Sequence, residues 1–223
     1  MKVLMLILGG GDGIYETLRN FCWGSYMNSN AEIEAYFYRG DPNLSTTHEF
    51  RGNTLYVKCS DGYWDVVKKL QMALQVFEPR FGEFDYICRP NLSSFWIFDQ
   101  YLKALEGRPR EKFCYAVCNT HPCLFPSGCG FTITPDIAKE YIYNAPRIGC
   151  IGGDDVSMGE LLIKLKIPIV SAPRIDITLE RHWGLLDRVG TDPTLFHVRI
   201  KHEANRDVND IIVWKRLLNQ IYK

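Results

Sequence analysis

The apolar positions of the chain change period repeatedly, and the period decides the element. Short runs rich in β-branched and aromatic residues predict strands near 3–8, 33–38, 54–58, 84–88, 113–117, 129–133, 168–171 and 195–200. Between them, apolar residues recur at three- and four-residue steps and predict helices near 13–26, 62–78, 94–106, 135–143, 156–165 and 207–222. In the second of these, Tyr63, Val66, Val67, Leu70, Leu74 and Phe77 form one buried stripe, with Lys68, Lys69 and Gln71 off it. Trp96, Phe98 and Tyr101 stand at helical spacing, which favours a core role over an exposed binding platform. Strands alternating with helices predict an α/β fold, a mostly parallel twisted sheet flanked by helices. Residues 107–112 and 172–194 read as exposed connections, the second long enough to cover a substrate.

Composition narrows the function. The 26 basic and 26 acidic residues cancel, which removes any global field for nucleic acid or an anionic membrane. The apolar run Lys2–Leu8 breaks into Gly9-Gly10-Gly11 and reads as a buried strand, not a signal segment, and no stretch reaches transmembrane length. A soluble cytoplasmic protein without membrane insertion is the expectation. The eight cysteines, at 22, 59, 88, 114, 118, 123, 129 and 150, include no CxxC pair and several sit in apolar runs, so they read as reduced core residues. Cys114, Cys118, Cys123 and Cys129 with His121 form a conceivable metal cluster, but their spacing matches no common zinc pattern.

Chemistry is suggested at two places. Asp154 and Asp155 follow Gly152-Gly153 and open an apolar helix. A carboxylate held at a helix N-terminus beside glycines is placed to take a proton from a hydroxyl, because the backbone orients it and the glycines admit a substrate. The competing reading is that Asp154 caps the helix. The second place is Leu6-Ile-Leu-Gly-Gly-Gly-Asp-Gly13, a strand entering a Gly-rich turn where backbone N–H groups can approach a nucleotide. It resembles the first motif of aminopropyltransferases and other methyltransferase-like folds, which implies an adenosyl cofactor. Those enzymes want an acidic residue at the end of the second strand. Here Glu32 and Glu34 precede Ala35-Tyr-Phe-Tyr38, and Asp41 lies beyond it.

Four segments taken in order carry a different resemblance: Asp61-Gly-Tyr-Trp-Asp-Val-Val-Lys-Lys69, Phe84-Asp-Tyr-Ile-Cys-Arg-Pro-Asn-Leu-Ser93, Pro126-Ser-Gly-Cys-Gly-Phe-Thr-Ile-Thr-Pro-Asp-Ile-Ala138 and Asp154-Asp-Val-Ser-Met-Gly159. Over residues 61–170 their order and intervals resemble the β-1,3-galactosyltransferase and fringe group of GT-A glycosyltransferases. The compact form is similar to the small enzymes of that kind encoded by large DNA viruses of algae. The resemblance implies one GT-A-like domain over 1–223, with 1–110 binding nucleotide and 111–223 binding the acceptor and carrying catalysis. It implies inverting transfer from a nucleotide-sugar, a UDP-sugar being favoured, to a hydroxyl of a glycan or glycoprotein. Asp155 would be the general base, and Asp154 would orient it or hold the acceptor. Two adjacent carboxylates also tend to raise one pKa. Gly9, Gly10, Gly11, Tyr38, Arg39, Lys69, Arg89, Asn91, Ser93, Arg199 and Lys201 would form the donor site. Ser127, Gly128, Gly130 and Trp183, with His182, would meet the acceptor.

One departure matters. Where the family carries its metal-binding Asp-x-Asp, this chain has Asn91-Leu92-Ser93. Hard cations want carboxylate oxygens, so these residues would hold Mn²⁺ or Mg²⁺ poorly, and side-chain cations would have to take the leaving-group charge instead. His197, Arg199 and Lys201 alternate along a predicted strand and so share one face, either against a diphosphate or as the polar outside of an edge strand. Should a metal bind after all, His197 is the first ligand to test. Arg206 and Asp207 read as capping and charging the last helix. A degenerate sugar-binding protein without turnover is the non-enzymatic alternative.

Overall fold

The structure, a computed structural model, describes residues 1–145 and 152–222; Cys150, expected as a reduced core residue, lies outside them. In chain order, β1 (Val3–Leu8) leads into α1 (Ile14–Thr17), whose helical path continues through a π turn at Leu18–Cys22 and a 3-10 turn at Trp23–Ser25. Next come β2 (Ile33–Gly40), β3 (His48–Arg51), β4 (Thr54–Val57), a 3-10 turn at Tyr63–Asp65, α2 (Val66–Phe77), β5 (Tyr86–Pro90), β6 (Ser94–Trp96) and α3 (Phe98–Leu105). The remainder comprises β7 (Cys114–Asn119), β8 (Phe125–Ile133), α4 (Pro135–Asn144), α5 (Asp154–Leu165), β9 (Ile169–Ser171), β10 (Ile175–Ile177), a 3-10 stretch at Glu180–Arg188, β11 (His197–Ile200) and α6 (Arg206–Ile221).

These elements form two compact units, each assembled from three stretches of chain. The first comprises Met1–Gly11, Glu32–Asn91 and Arg108–Ala172; the second comprises Asp12–Ala31, Leu92–Gly107 and Pro173–Lys223. The first unit holds an eight-stranded sheet in the order β3-β4-β2-β1-β5-β8-β7-β9. β1 lies parallel to both β2 and β5, β2 to β4, and β7 to β9. β3, and β8 against both of its neighbours, run antiparallel. This is the expected mostly parallel α/β sheet flanked by helices. Its centre explains the unbroken apolar reading of β1: Val3 through Ile7 are buried without alternation, as in a parallel strand covered on both faces.

Helices α2, α4 and α5 pack on this sheet. Leu70, Leu74 and Phe77, with Ile137, Tyr141, Met158 and Leu161, meet Leu4, Leu6, Ile87, Phe131 and Ile133 in one apolar cluster. The stripe predicted for α2 is correct from Val66 to Phe77, with two exceptions. Tyr63 lies in the preceding 3-10 turn and is exposed, and Lys69, placed off the stripe, is buried. The strand expected near 129–133 begins earlier, so Ser127–Gly130 lie inside β8, whose pairing with β7 shifts register between Ala116 and Cys118. Glycine inside a strand marks such irregularity or a close approach. Gly159 allows a close approach of another kind: a Cβ there would fall 2.6 Å from the Leu124 carbonyl oxygen and collide with Phe125, so only glycine lets α5 pack this tightly on the start of β8.

The second unit is built on a three-stranded sheet in the order β10-β11-β6. Ser94–Trp96, expected to open a helix, is a strand because it pairs antiparallel with His197–Arg199; the helix begins at Phe98. β11 is central here, which removes the edge-strand explanation for its alternating polar residues. Within the expected connection 172–194 lie β10 and the 3-10 stretch. Trp23, Tyr26, Phe95, Phe98, Trp214 and Tyr222 form an aromatic core, with Tyr26 and Tyr222 centroids 4.6 Å apart. Trp96, Phe98 and Tyr101 are buried, as their spacing implied. Among the described residues no helix is long and apolar enough to cross a membrane.

Replacing Gly159 by valine should cost about 1–3 kcal/mol, the usual penalty for overpacking. Urea unfolding checks this: an unchanged midpoint would show that α5 can back away from Phe125 freely.

Candidate active site

The parallel register brings the ends of β1, β2 and β5 together in the first unit. Gly9 N–H donates to the Tyr38 carbonyl oxygen at 3.0 Å, and Leu8 bridges to Asn91. Two polar clusters stand at this edge. In one, Asp61 is the hub. Its Oδ1 accepts from Gly40 N–H at 2.9 Å and from Lys69 Nζ at 2.7 Å, and its Oδ2 accepts from Arg39 Nε and Nη2 at 3.2 and 3.1 Å. Burial alone would raise this carboxyl, but the hydrogen bonds from Lys69 and Gly40 outweigh it and hold Asp61 below the ordinary carboxylate value. Gly10 is required beside it, because a Cβ there would lie 2.7 Å from Asp61 Oδ1.

The other cluster fixes the start of α5. Arg89, at the end of β5 and 3% exposed, donates from Nη2 to Asp154 Oδ1 at 2.6 Å, from Nε to the Tyr38 hydroxyl at 3.2 Å and from Nη1 to the Gly128 carbonyl oxygen at 2.6 Å. Asn91 Nδ2 donates to the same carbonyl at 2.9 Å. Asp154 is buried and is the first residue of the helix; the N-cap is Gly153, so the capping reading of Asp154 is corrected to an ion pair. Its Oδ2 is buried with no hydrogen-bond partner among the described residues. Burial pushes the Asp154 carboxyl up to about 6, opposed by the Arg89 charge and reinforced by that of Asp155. The raised carboxyl of the pair is therefore the buried one.

Asp155 points elsewhere. Its side chain is half-buried and lies in a slot between two backbones. A Cβ at Gly128 would fall 2.5 Å from Oδ2, and one at Gly153 would fall 2.5 Å from Oδ1. One oxygen also accepts from Val156 N–H at 2.9 Å, a first-turn donor for which the helix itself has no acceptor. A carboxylate thus stands at a helix N-terminus between two glycines, with its neighbour anchored beneath it.

Gly9, Gly10, Arg39, Lys69, Arg89, Asn91, Gly128, Asp154 and Asp155 of the expected site therefore converge. Tyr38, Arg89 and Lys69 do so from beneath the surface, where Tyr38 and Arg89 position Asp154 and Lys69 positions Asp61. Ser127 is buried and takes the Cys129 N–H at 3.4 Å, and Gly130 pairs with Pro90 in the sheet. Asp61 is the member that residue-by-residue reading passed over. Its signal was present in its eight-residue spacing from Lys69 in the segment 61–69.

The remaining candidates belong to the second unit. His197 is buried and stacks on Trp96 at 4.4 Å; burial, and then Arg174 and Arg199, push its pKa well below the ordinary value. Arg199 donates to Asp176 at 3.3 Å, Arg174 binds the same carboxylate at 2.6 Å, and Lys201 is exposed. Ser93 Oγ accepts from Arg206 Nη2 at 3.0 Å, and Arg206 also donates to Tyr15 and Asp210. Trp183 Nε1 donates to His202 Nε2 at 2.9 Å, so His202 carries its proton on Nδ1 and gives it to Asp210 at 2.8 Å. Arg206, expected only to charge its helix, is thus a tether between α6, Ser93 and α1.

A divalent cation, as the GT-A resemblance implies, does not fit positions 91 and 93. Asn91 is held through its amide nitrogen, Ser93 already accepts from a guanidinium, and the described residues contain no group of three or more His, Cys, Asp or Glu side chains able to hold a metal. None of the seven described cysteines is in a disulfide and five are buried, and the Cys114–Cys129 segment forms no metal centre among the described residues.

No family model matches the sequence, and no curated protein matches it. The fold has counterparts: 111 chains of solved structures match it. One is a glycosyltransferase involved in the glycosylation of the major capsid of PBCV-1, which is 8% identical, aligns over 96% of this chain and 98% of its own, and superposes with a TM-score of 0.57. The chain therefore has a glycosyltransferase-like α/β fold.

Asp154 titrates near 6 when folded and near 4 when unfolded. The native state thus holds this proton more tightly, and its contribution to stability falls as pH rises from about 4 through 6. Arg89→Met removes the opposing charge and should extend that fall to higher pH. At pH 8 the loss should be about 3–5 kcal/mol, the range for stranding a buried charge, and it should shrink toward pH 5. Denaturant titrations at both pH values check this; an equal loss at each would contradict the pairing.

Proposed function

We propose that the chain is an inverting glycosyltransferase that moves a sugar from a nucleotide-sugar, UDP-linked, to a hydroxyl of a glycan or glycoprotein. The observation that carries this reading is the Asp155 carboxylate, open at the start of α5 and held between Gly128 and Gly153. The fold likeness and the four ordered segments support it, and those segments favour the β-1,3-galactosyltransferase and fringe type. In the proposed reaction the acceptor oxygen attacks the anomeric carbon while its proton passes to Asp155. The bond from that carbon to the diphosphate oxygen breaks, and the nucleoside diphosphate leaves with the electron pair. Asp155 then returns its proton to water.

Asp154 serves as the orienting residue. Buried and paired to Arg89, it fixes the first turn of α5 and hence the carboxylate beside it. The donor is assigned to the strand-end cluster of Gly9, Gly10, Gly11, Arg39, Asn91 and the Asp61–Lys69 pair. Of the two cations expected against the leaving diphosphate, Arg199 is committed to Asp176 and Lys201 is exposed within the second unit.

Asp155→Asn should lower transfer by about 10²–10⁴-fold, the usual contribution of a general base, while UDP-sugar binding measured by thermal shift stays near normal. A variant that keeps most of its turnover would remove the base assignment. A wild-type protein that binds UDP-sugars but turns over none would instead be a sugar-binding protein.

On the metal-free reading that Asn91 and Ser93 favour, transfer should persist in EDTA. Complete loss on chelation, restored by Mn²⁺, would overturn the metal-free version.

A further inference from the structure

Beside the Asp155 slot stands Tyr63, with the ring of Trp64 edge to face against it, and the fold buries neither. Tyr63 and Trp64, in the 3-10 turn ahead of α2, are 67% and 86% exposed. Trp23, Trp96 and Trp214 are buried and Trp183 is hydrogen-bonded to His202, so Trp64 is the tryptophan left in water. Leaving two large rings solvated forgoes stabilisation that burial would supply. The rings lie edge to face with centroids 5.6 Å apart. Their position is specific: the Tyr63 hydroxyl and Asp155 Oδ1 flank the same glycine, at 3.8 and 2.5 Å from where a Gly153 Cβ would stand.

We infer that Tyr63 and Trp64 form the platform on which a pyranose ring of the acceptor rests while one of its hydroxyls faces Asp155. This rests on the proposed transfer reaction. A pyranose has an apolar face of C–H bonds and a rim of hydroxyls. An exposed indole and phenol nearly at right angles match both, since the Trp64 face takes the C–H side and the Tyr63 hydroxyl, on the Asp155 side, reaches the rim. Tyrosine and tryptophan also give large, stiff contact area at little entropic cost, which is why they dominate binding hot spots. The sequence concealed this role, because Tyr63 continues the apolar stripe of α2 by spacing; only the 3-10 turn swings it and Trp64 outward.

The test is saturation-transfer NMR with methyl β-glucoside, β-galactoside, α-mannoside, β-xyloside and lactose as probes, and with UDP in a parallel arm. The wild type should transfer saturation to ring protons of at least one glycoside. Trp64→Ala and Tyr63→Ala should weaken that binding about tenfold, leaving the UDP signal and the thermal midpoint unchanged. Glycoside binding equal to wild type in both variants, no glycoside bound by the wild type, or loss of UDP rather than glycoside on Trp64→Ala would each overturn the platform. Failure of the transfer reading is a separate result: glycosides then bind through Trp64 while the wild type neither binds nor consumes any UDP-sugar.

Discussion

The buried contact between Arg89 and Asp154 is the constraint on which the rest of the site depends. It joins the end of β5 to the first residue of α5, and Arg89 extends it to the Tyr38 hydroxyl on β2 and the Gly128 carbonyl on β8. Four elements of the sheet unit are therefore registered on one guanidinium. Such a pair is weak evidence for stability, since desolvation offsets most of the attraction. Its consequence here is positional. With Asp154 pinned beneath the surface, the next residue has one direction left, and Gly128 and Gly153 provide the space it enters.

That arrangement separates two carboxylates that are adjacent in sequence. Asp154 is buried, ion-paired and raised in pKa; Asp155 is half-exposed and free to meet a substrate. The division follows from the helix: consecutive residues of its first turn point about 100° apart, so one faces the sheet and the other the slot between Gly128 and Gly153. Asp61 repeats the logic on a smaller scale. Three donors and Gly10 fix it at the ends of β1 and β2, and through it Lys69 and Arg39 take their places.

Much of this was legible in the sequence, and the residues that were not share a cause. Seven of the eight strands of the large sheet were legible as apolar runs, Val3–Leu8 most plainly; β3 was missed because His48–Arg51 is an exposed edge without an apolar run. The Asp154-Asp155 pair stood out because glycines preceded it and an apolar helix followed. Ser94–Trp96 was read as helix because three residues carry no period, and only the partner strand at His197–Arg199 decides their conformation. Lys69 read as solvent-facing because periodicity assigns a face without knowing that Asp61, eight residues earlier, waits on the buried side. Arg206 and Ser93 are 113 positions apart, and no local pattern can pair them.

The central claim is that one carboxylate, Asp155, activates an acceptor hydroxyl for direct displacement at the anomeric carbon. The most direct measurement is the anomeric configuration of the first product, read from the coupling of its anomeric proton by NMR immediately after mixing wild-type protein, UDP-sugar and glycoside acceptor. A single displacement aided by one base inverts that centre, so an α-linked donor must yield a β-linked product. A product that retains the donor's configuration would contradict the account, because it requires a second displacement that this site is not proposed to perform.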